Sequence, residues 1–490
     1  MSIMLEKARK YEIEAMKQIE EGQKPSFHVC APIGWINDPN GFSVYKGEYH
    51  LFYQYHPYST AWGPMHWGHS KSKDFIKWEQ LPCAMAPDRE YDGQGCFSGS
   101  AVEHEGTHVL MYTGVLDKVQ EDGTKRLAQT QCIAIGDGEN YKKLNNNPII
   151  TSTSLPKGSS KEDFRDPKIW KEGEVFYVIL GSRREGTGGQ VLLFKSQDAQ
   201  KWEYVSIVEE SENQYGNMWE CPDFFSLGGK QLLLISPMAM LAKGLEFHNG
   251  NNSIYFIGEY DRDNYKLNRE HVALIDYGLD FYAPQTLETA DGRRIMIAWM
   301  QSWDNYITPP DFKWSGLMTV PRELHLKEGV LYQNPVQEIE DYYQNEVRYN
   351  TITICDSQEL SGVQGRQFDL LVEIEEGEYE EFSIRFAADA DNEYYSELQY
   401  NAKINTITFD RTYSGIRKDI LHKRAMHVKG QKGKVKIRVL MDKYSVEIFV
   451  NDGEQAMSSL IYTPIEANQI YFSSIGGAIC NIIKYDVVVQ

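Results

Sequence analysis

The stretch Phe42-Ser43-Val44-Tyr45-Lys46-Gly47-Glu48-Tyr49-His50-Leu51-Phe52-Tyr53-Gln54-Tyr55 contains two short, largely apolar runs separated by a turn at Lys46-Gly47. Runs of this kind, rich in aromatic residues and bounded by glycine, are typical of a β-hairpin. The same pattern recurs along the first two-thirds of the chain. Its turn glycines are Gly47, Gly106, Gly173, Gly229 and Gly292, at intervals of 59, 67, 56 and 63 residues.

A second marker follows each of the first four hairpins. It is an aspartate with an aromatic residue four positions later, and the aromatic residues recur at intervals of 63, 61 and 63 residues. The pairs are Asp74/Trp78, Asp137/Tyr141, Asp198/Trp202 and Asp261/Tyr265. Two markers with one period indicate a repeat architecture, and a unit of about 60 residues holds the four strands of one propeller blade. We therefore predict an all-β chain with a five-bladed β-propeller over residues 26–343; the alternative is a sandwich with accidental spacing.

The chain on either side of this region follows other patterns. After Tyr343 the markers stop, and alternating strands with a turn at Asn451-Asp452-Gly453 predict a C-terminal β-sandwich over residues 351–490. No catalytic group stands out in it, so we interpret it as a packing module rather than a carbohydrate-binding one. Residues 1–25 predict a helical segment that stops at Gly22, from apolar residues at helical spacing. These are Leu5, Ala8, Tyr11, Ala15 and Ile19.

Charge and cysteine content exclude several classes of protein. The formal net charge of −20 disfavours nucleic acid and anionic membranes as partners, because both require a basic surface. The seven cysteines are scattered without a CxxC pair, which argues against a zinc knuckle or a disulfide framework. The N-terminal residues lack the apolar core of a signal peptide, so we expect a cytoplasmic location.

Three carboxylates precede the repeated hairpins at equivalent positions. They are Asp38, Asp166 and Glu220. The first strand of each blade lines the central channel of a propeller, so the three acids are expected to converge at one end of it. Crowded carboxylates shift one another's pKa values, which suits glycoside cleavage by one ionised and one protonated acid. The alternatives are turn-capping acids or a calcium cage.

The flanking residues refine this hypothesis. Trp35, Phe97, Trp219 and Tyr282 are expected to offer faces to a sugar rather than to a cation. Between Trp219 and Cys221, Glu220 is expected to have a raised pKa, and Arg165 is expected to keep Asp166 ionised. Histidines 56, 66 and 69 are interpreted as structural, so we expect neither a metal nor a cofactor.

Six ordered motifs resemble those of glycoside hydrolase family 32. They are Trp35-Ile36-Asn37-Asp38-Pro39-Asn40-Gly41, Phe52-Tyr53-Gln54-Tyr55, Trp67-Gly68-His69, Phe97-Ser98-Gly99-Ser100, Arg165-Asp166-Pro167 and Glu220-Cys221-Pro222-Asp223. The resemblance implies a propeller followed by a sandwich. It also implies that Asp38 is the nucleophile, Glu220 the general acid/base and Asp166 the stabiliser of the transition state. Contacts to the terminal fructose are then implied for Asn37, Gln54, Trp62, Phe97, Ser98 and Arg165.

The resemblance implies a retaining β-fructofuranosidase that acts on sucrose, sucrose 6-phosphate or short fructo-oligosaccharides. A fructosyltransferase would share every catalytic residue, and a non-catalytic fructan-binding propeller is a third alternative. Candidate cations for a phosphate are Arg183, Arg184 and Lys243. The expected partner is a small-molecule sugar. The sequence leaves the oligomeric state open, with a homodimer through the sandwich as one alternative.

Overall fold

The computed structural model describes residues 1–20, 22–119, 123, 125–430 and 432–489. Its α-helix, α1, spans Ile3–Met16, and the Ser2 hydroxyl caps it by accepting a hydrogen bond from the Leu5 N–H at 3.2 Å. The helix ends at Met16, earlier than the sequence pattern suggested. Tyr11, which the spacing placed on the buried face, is 39% exposed.

Five sheets follow α1, as expected for the propeller region, and they are antiparallel apart from one two-residue strand described below. Within the described chain, each sheet has four main strands, and their order across the sheet follows their order in the sequence. Their strands are β1 Gly34–Tyr45, β2 Glu48–His56, β3 His66–Ser72 and β4 Trp78–Met85; β5 Gly95–His104, β6 Thr107–Val119, β7 Lys125–Gly136 and β8 Tyr141–Lys143; β9 Ser159–Glu172, β10 Val175–Arg184, β11 Gly188–Ser196 and β12 Glu203–Glu210; β13 Met218–Leu227, β14 Lys230–Met238, β15 Ile254–Asp261 and β16 Lys266–Leu274; and β17 Tyr282–Glu288, β18 Arg294–Met300, β19 Trp314–Ser315, β20 Leu317–Met318, β21 Arg322–Lys327 and β22 Val330–Pro335.

The two sequence markers correspond to two turns of each sheet. The five turn glycines lie between the first and second strands and have positive φ, a backbone conformation that favours glycine. The four aspartates lie at the end of the third strand or just after it, before the fourth strand. In each case one carboxylate oxygen accepts two backbone N–H groups of the following turn, as Asp198 does from Gln200 and Lys201 at 2.8 Å. Local turn chemistry therefore explains both periodicities.

The first strands of the five sheets contact one another in sequence, and β17 contacts β1. These strands do not pair with each other, so the backbone groups on their facing edges require side-chain partners. The Asn40 side chain of β1 accepts the Gly99 N–H of β5 at 3.1 Å. The Ser100 hydroxyl of β5 donates to the Pro167 carbonyl of β9 at 2.7 Å and accepts the Ile169 N–H at 2.8 Å.

The remaining first strands are joined in the same way. The Lys168 ammonium of β9 donates to Asp223 of β13 at 2.9 Å and to the Thr286 carbonyl of β17 at 2.6 Å. Asp223 also accepts the Thr286 N–H at 2.6 Å, and Gln285 of β17 accepts the Phe42 N–H of β1 at 2.7 Å. We call these bonds the axial ring. The count of five blades remains a prediction, which the five sheets and the axial ring support.

The two short strands of the last sheet tie it to neighbouring chain. Strand β19 pairs in parallel with β1 of the first sheet, and β20 pairs with β18. Three 3₁₀ turns, at Glu90–Asp92, Ser152–Ser154 and Gln337–Tyr342, complete this part of the chain as described. Because β19 lies far along the chain from β1, their pairing helps to close the propeller on itself.

Two six-stranded antiparallel sheets form the C-terminal sandwich. One has the order β23-β34-β25-β30-β31-β32 and the other β24-β33-β26-β27-β28-β29. The strands are β23 Tyr343–Ile354, β24 Gln358–Gln364, β25 Phe368–Ile374, β26 Glu381–Ala388, β27 Ser396–Asn401, β28 Thr406–Asp410, β29 Lys423–His427, β30 Val435–Asp442, β31 Ser445–Val450, β32 Gln455–Leu460, β33 Gln469–Ile475 and β34 Ala478–Val487. An all-β fold of propeller and sandwich is therefore confirmed; the precise domain limits remain predictions.

Buried charges join the sandwich to the propeller. The Arg322 guanidinium of β21 donates to Glu447 of β31 at 2.9 Å and to Asp276 at 3.0 Å. His28 bridges Asp442 at 3.1 Å and Glu447 at 2.9 Å. Burial alone would lower the pKa of His28, but these two carboxylates raise it to about 9. Removing one member of such a network would leave another charge buried without a partner, so the network fixes how the two domains meet.

The axial ring predicts that Ser100→Ala destabilises the protein. Without the hydroxyl, the Pro167 carbonyl and the Ile169 N–H lose their bond inside the propeller, at a cost of about 2 to 4 kcal/mol. Turnover should also fall, because Asp166 lies on the same stretch of β9. Urea unfolding and steady-state kinetics measure both effects, with the exposed Ser357→Ala as control. Wild-type stability in Ser100→Ala would contradict the role of the axial ring.

Candidate active site

One pocket, with a volume of about 300 Å³, lies beside the beginnings of the first strands. All nine residues that the sequence analysis proposed for the site line it. They are Asn37, Asp38, Gln54, Trp62, Phe97, Ser98, Arg165, Asp166 and Glu220. Gln129, Asp163, Met238 and Trp303 complete the lining. The three acids come from β1, β9 and β13, so strand repetition brings together residues far apart in sequence.

Asp38 is buried and held by three donors. Ser98 donates to one carboxylate oxygen at 2.6 Å, Asn37 to the other at 3.1 Å, and the Cys221 thiol lies 3.5 Å from the first. Asn37 is itself fixed by the Trp35 indole N–H at 2.9 Å. Burial raises the pKa of Asp38, while the bonds from Ser98 and Asn37 oppose that rise. Its orientation is thus fixed before a substrate enters.

Asp166 sits on a strained stretch of backbone with φ of +60°. Its N–H donates to the Thr113 hydroxyl at 3.0 Å, and its carboxylate accepts the Cys221 N–H at 3.0 Å. Such a conformation is uncommon for a non-glycine residue and persists only where the surroundings fix it. Cys221 thus contacts both Asp166 and Asp38, through its backbone and its thiol. Burial raises the pKa of that thiol, so its proton is retained for these contacts.

Glu220 is held by different partners from those expected. The Arg165 guanidinium donates to one of its carboxylate oxygens at 2.9 Å, and the Tyr282 hydroxyl donates to the other at 2.7 Å. Arg165 also contacts Asp163 at 3.2 Å. The sequence placed Glu220 between Trp219 and Cys221, and the structure adds hydrogen-bond partners from β9 and β17.

Arg165 acts on the pKa of Asp166 in the predicted direction, but other effects outweigh it. Burial first, and then the nearby charge of Glu220, raise the pKa of Asp166 to about 7, although Arg165 pulls it down. The guanidinium is committed to Glu220 and Asp163, and its hydrogen bonds do not reach Asp166. Adjacency in sequence was a poor guide, because Asp166 lies at positive φ in a shift of the β9–β10 register, so the two side chains line one pocket but have different hydrogen-bond partners.

Comparison with known proteins gives the family. The model of the glycosyl hydrolases family 32 N-terminal domain matches residues 28–335, and that of the family 32 C-terminal domain matches residues 338–488. The chain belongs to glycosyl hydrolase family 32. This confirms the resemblance seen in the six motifs and establishes the protein as a glycoside hydrolase.

Relatives match this family 32 chain over more than nine-tenths of its length. A sucrose-6-phosphate hydrolase of Escherichia coli is 35% identical over 450 residues, which cover 91% of each chain. The solved family 32 β-fructofuranosidase of Bombyx mori is 32% identical, with a TM-score of 0.85, and the match covers 98% of this chain and 97% of that one. A sucrose-6-phosphate hydrolase structure from Lactobacillus gasseri has a TM-score of 0.86 at 27% identity, covering 98% and 96%.

The aromatic residues expected to face a sugar divide into two groups. Trp35, Trp219 and Tyr282 are fully buried, so those three expectations are wrong for a stacking surface. Phe97 and the half-exposed Trp62 do line the pocket, 6.0 Å apart and edge to face. Large rings so close to the acids fill the space between sheets and thereby hold the first strands in place.

Sequence reasoning missed four residues of the site. They are Gln129, Asp163, Cys221 and Met238. Tyr282 had been placed at the start of a first strand, and its equivalence to Glu220 was the signal that its hydroxyl faces the acids. Asp163 and Cys221 stand within three residues of predicted site residues. Gln129 and Met238 lie on a third and a second strand, β7 and β14, where the repeat gives no guidance.

Metal and phosphate ligands were also sought. Within the described ranges, no group of three or more His, Cys, Asp or Glu side chains is arranged to hold a metal ion. The candidate phosphate-binding cations have carboxylate partners: Arg183 contacts Asp163 at 2.6 Å, Arg184 contacts Glu210 at 3.4 Å, and Lys243 contacts Glu246 at 2.8 Å. Of the described helices, none has the length and apolar character to span a membrane.

Because the pKa of Asp166 is raised, we predict that its ionised carboxylate lowers the free energy of unfolding. A carboxyl with a folded pKa above its usual range stabilises the fold fully at low pH, and that contribution is lost as the pH rises through about 7. Asp166→Asn should therefore be more stable than the wild type by about 1 to 3 kcal/mol at pH 8, with the difference vanishing near pH 4. Denaturant unfolding at both pH values measures this.

Asp410→Asn provides a control of opposite sign. The Asp410 carboxylate pairs with Lys423 at 2.7 Å, and although burial opposes it, the hydrogen bonds to that carboxylate lower its pKa. Replacing Asp410 with asparagine should either leave the free energy of unfolding at pH 8 unchanged or reduce it. A loss of stability in Asp166→Asn at pH 8 would contradict the cost assigned to the crowded acids.

Proposed function

We propose that this protein is a retaining β-fructofuranosidase that removes a terminal, non-reducing fructose by double displacement. The observation that carries the proposal is the shared pocket, in which Asp38, Asp166 and Glu220 stand around one cavity of monosaccharide scale. Retaining glycosidases require a nucleophilic carboxylate and an acid/base close together across the scissile bond. Relatives named sucrose-6-phosphate hydrolase and β-fructofuranosidase support a fructoside as the substrate.

In the first step, Asp38 attacks the anomeric carbon of the fructosyl unit while Glu220 gives a proton to the glycosidic oxygen. Ser98 and Asn37 aim the Asp38 carboxylate at that carbon. The bond from carbon to the leaving oxygen breaks, and an ester to Asp38 forms. Asp166 accepts hydrogen bonds from fructose hydroxyls, which strengthen as the ring gains positive charge.

The proton for that step comes from the cluster of acids itself. Asp166 and Asp38 both have raised pKa values, so the group of three retains a proton at a pH where isolated carboxyls have lost theirs. We propose that this shared proton passes to the glycosidic oxygen through Glu220 as the leaving group departs. In the second step Glu220 takes a proton from water, and the hydroxide oxygen displaces Asp38.

Sucrose and short fructo-oligosaccharides are the substrates that this pocket favours. A Bombyx mori family member has been solved in complex with sucrose, and that structure has a TM-score of 0.84 with this chain. The pocket has four carboxylates, from Asp38, Asp163, Asp166 and Glu220, against the guanidinium of Arg165. A phosphorylated leaving group gains little attraction there, since Arg183 is already paired with Asp163.

Comparison of kcat/KM for sucrose, sucrose 6-phosphate, kestose and inulin tests the substrate. We expect the highest values for sucrose and kestose and low values for inulin. A tenfold preference for the phosphorylated sugar, equivalent to about 1.4 kcal/mol, would reveal a dedicated phosphate site and contradict the charge argument. Product chromatography in the same assays separates hydrolysis, which releases fructose, from fructosyl transfer, which lengthens the sugar.

Glu220→Gln should lower turnover of sucrose by about 10²- to 10⁴-fold without loss of the fold. An aryl fructoside with a good leaving group should lose less in the first step, because it needs little protonation. Burst kinetics on both substrates measure this, with the exposed Glu174→Gln as control. Equal losses in the first step on the two substrates would exclude Glu220 as the acid.

The same variant offers a way to label the nucleophile. With an activated fructoside, Glu220→Gln should form the Asp38 ester and hydrolyse it slowly, since the base for the second step is missing. Peptide mapping by mass spectrometry should then find one added fructosyl unit on the peptide that contains Asp38. A label on Asp166 instead, or none at all, would reject Asp38 as nucleophile.

A further inference from the structure

A loop at the edge of the pocket, residues 301–313, joins β18 to β19; we call it the rim loop. It carries Trp303, which lines the pocket and is 39% exposed. The Trp303 ring packs 6.2 Å from Trp35 and 5.0 Å from Trp299. The rim loop contains no helix or strand, and an isolated bridge joins Ser302 to Asn305. Its position therefore depends on its contacts with neighbouring segments.

Tyr306 links the rim loop to the segment that carries Trp62, the other tryptophan that lines the pocket. Its ring stacks on Trp35 at 5.1 Å, with an interplanar angle of 6°. Its hydroxyl donates to the Thr60 carbonyl at 2.8 Å. Thr60 lies two residues before Trp62, which is 47% exposed and lines the same pocket. This hydrogen bond therefore ties the segment that carries Trp62 to the loop that carries Trp303.

The sandwich contributes the next link. Lys418, in the connection between β28 and β29, donates from its ammonium group to the Tyr306 carbonyl at 2.6 Å. The same ammonium lies 5.4 Å from the centroid of the Tyr306 ring, at cation–π range. Lys418 thus fixes both the backbone and the ring of Tyr306.

A third contact anchors the rim loop to the fourth sheet. The Asp304 carboxylate accepts the Asn251 N–H at 2.8 Å and its side-chain amide at 3.1 Å. This anchor lies beside Trp303 in sequence but does not involve Trp62. Phe312, near the end of the rim loop, also packs against Tyr444 and Tyr462 of the sandwich, at 5.2 and 5.4 Å. Within the described ranges, the contacts of Tyr306 are the ones that join the segment of Trp62, as well as the loop of Trp303, to Lys418 of the sandwich.

We propose that Tyr306 and Lys418 are positioning residues that set the separation of Trp62 and Trp303 and thereby select the leaving-group half of the substrate. This inference rests on the proposed function and adds a role for the sandwich in specificity. Among the described residues, no hydrogen bond joins the rim loop to Asp38, Asp166 or Glu220. A shift of the loop should therefore change binding of the departing sugar more than chemistry at the fructosyl carbon.

Two variants and two substrates test the proposal. Tyr306→Phe removes the bond to Thr60 and keeps the ring, and Lys418→Met removes the bond and the charge but keeps the length. Lys403→Met is the control, because Lys403 is another exposed lysine of the sandwich and pairs with Glu380 at 2.6 Å. Sucrose presents a whole sugar as leaving group, whereas methyl β-D-fructofuranoside presents a methoxy group.

Each rim variant should raise the KM for sucrose by about threefold to tenfold, as expected for one lost hydrogen bond. Its kcat for sucrose should remain within about twofold of the wild type, and kcat/KM for the methyl fructoside should not change. Sucrose affinity, measured by calorimetry in an Asp38→Asn background, should fall by the same factor as KM rises. Lys403→Met should match the wild type throughout.

Equal losses on sucrose and the methyl fructoside would show a general structural effect and overturn the proposal. Wild-type KM and affinity for sucrose in both rim variants would overturn it as well. If the wild-type chain released fructose from neither substrate, the proposed function would fail. The calorimetric comparison of sucrose affinity would then still decide the inference about the rim loop.

Discussion

The structure depends on the axial ring, the set of side-chain bonds that joins the first strands of the five sheets. These strands bring their edges together without pairing, so each unpaired backbone group needs a partner from a neighbouring sheet. Asn40, Ser100, Lys168, Asp223 and Gln285 supply those partners. The ring fixes the height and rotation of each first strand. Since Asp38, Asp166 and Glu220 stand on three of these strands, it also fixes the distances among the acids.

The fixed strands hold the three carboxylates at positions where their negative charges repel one another. Three carboxylates share one pocket, and burial together with their mutual repulsion raises the pKa values of Asp38 and Asp166. Among the three acids, Arg165 donates a hydrogen bond to Glu220, and its charge offsets only part of the rise in the pKa of Asp166. The fold tolerates this cost because the axial ring and the buried ion network around Arg322 and Glu447 stabilise the chain elsewhere. Crowded acids retain a proton near neutral pH, and double displacement needs one protonated and one ionised carboxylate.

The parts that were predictable from sequence rest on local chemistry that repeats. Glycine at positive φ in each hairpin, and aspartate capping each later turn, leave a period in the sequence, and that period places Asp38, Asp166 and Glu220 at equivalent positions. The features that the sequence did not predict depend on side-chain direction and on contacts between distant segments. Arg165 turns towards Glu220 rather than its neighbour Asp166, Trp35 and Trp219 point into the core, and Trp303 arrives on a loop outside the repeat. No local pattern encodes such choices, because they are decided by packing between sheets.

The sandwich completes this arrangement by supporting the propeller at two levels. Its buried carboxylates, Asp442 and Glu447, hold His28 and Arg322, and its exposed Lys418 reaches the rim loop. The central claim is that the three acids act by double displacement, and the configuration of a transfer product tests it most directly. Sucrose should be incubated with the protein in the presence of methanol, and the methyl fructoside identified by NMR spectroscopy before it is degraded. The account predicts methyl β-D-fructofuranoside, with retained configuration; formation of the α-anomer would contradict it.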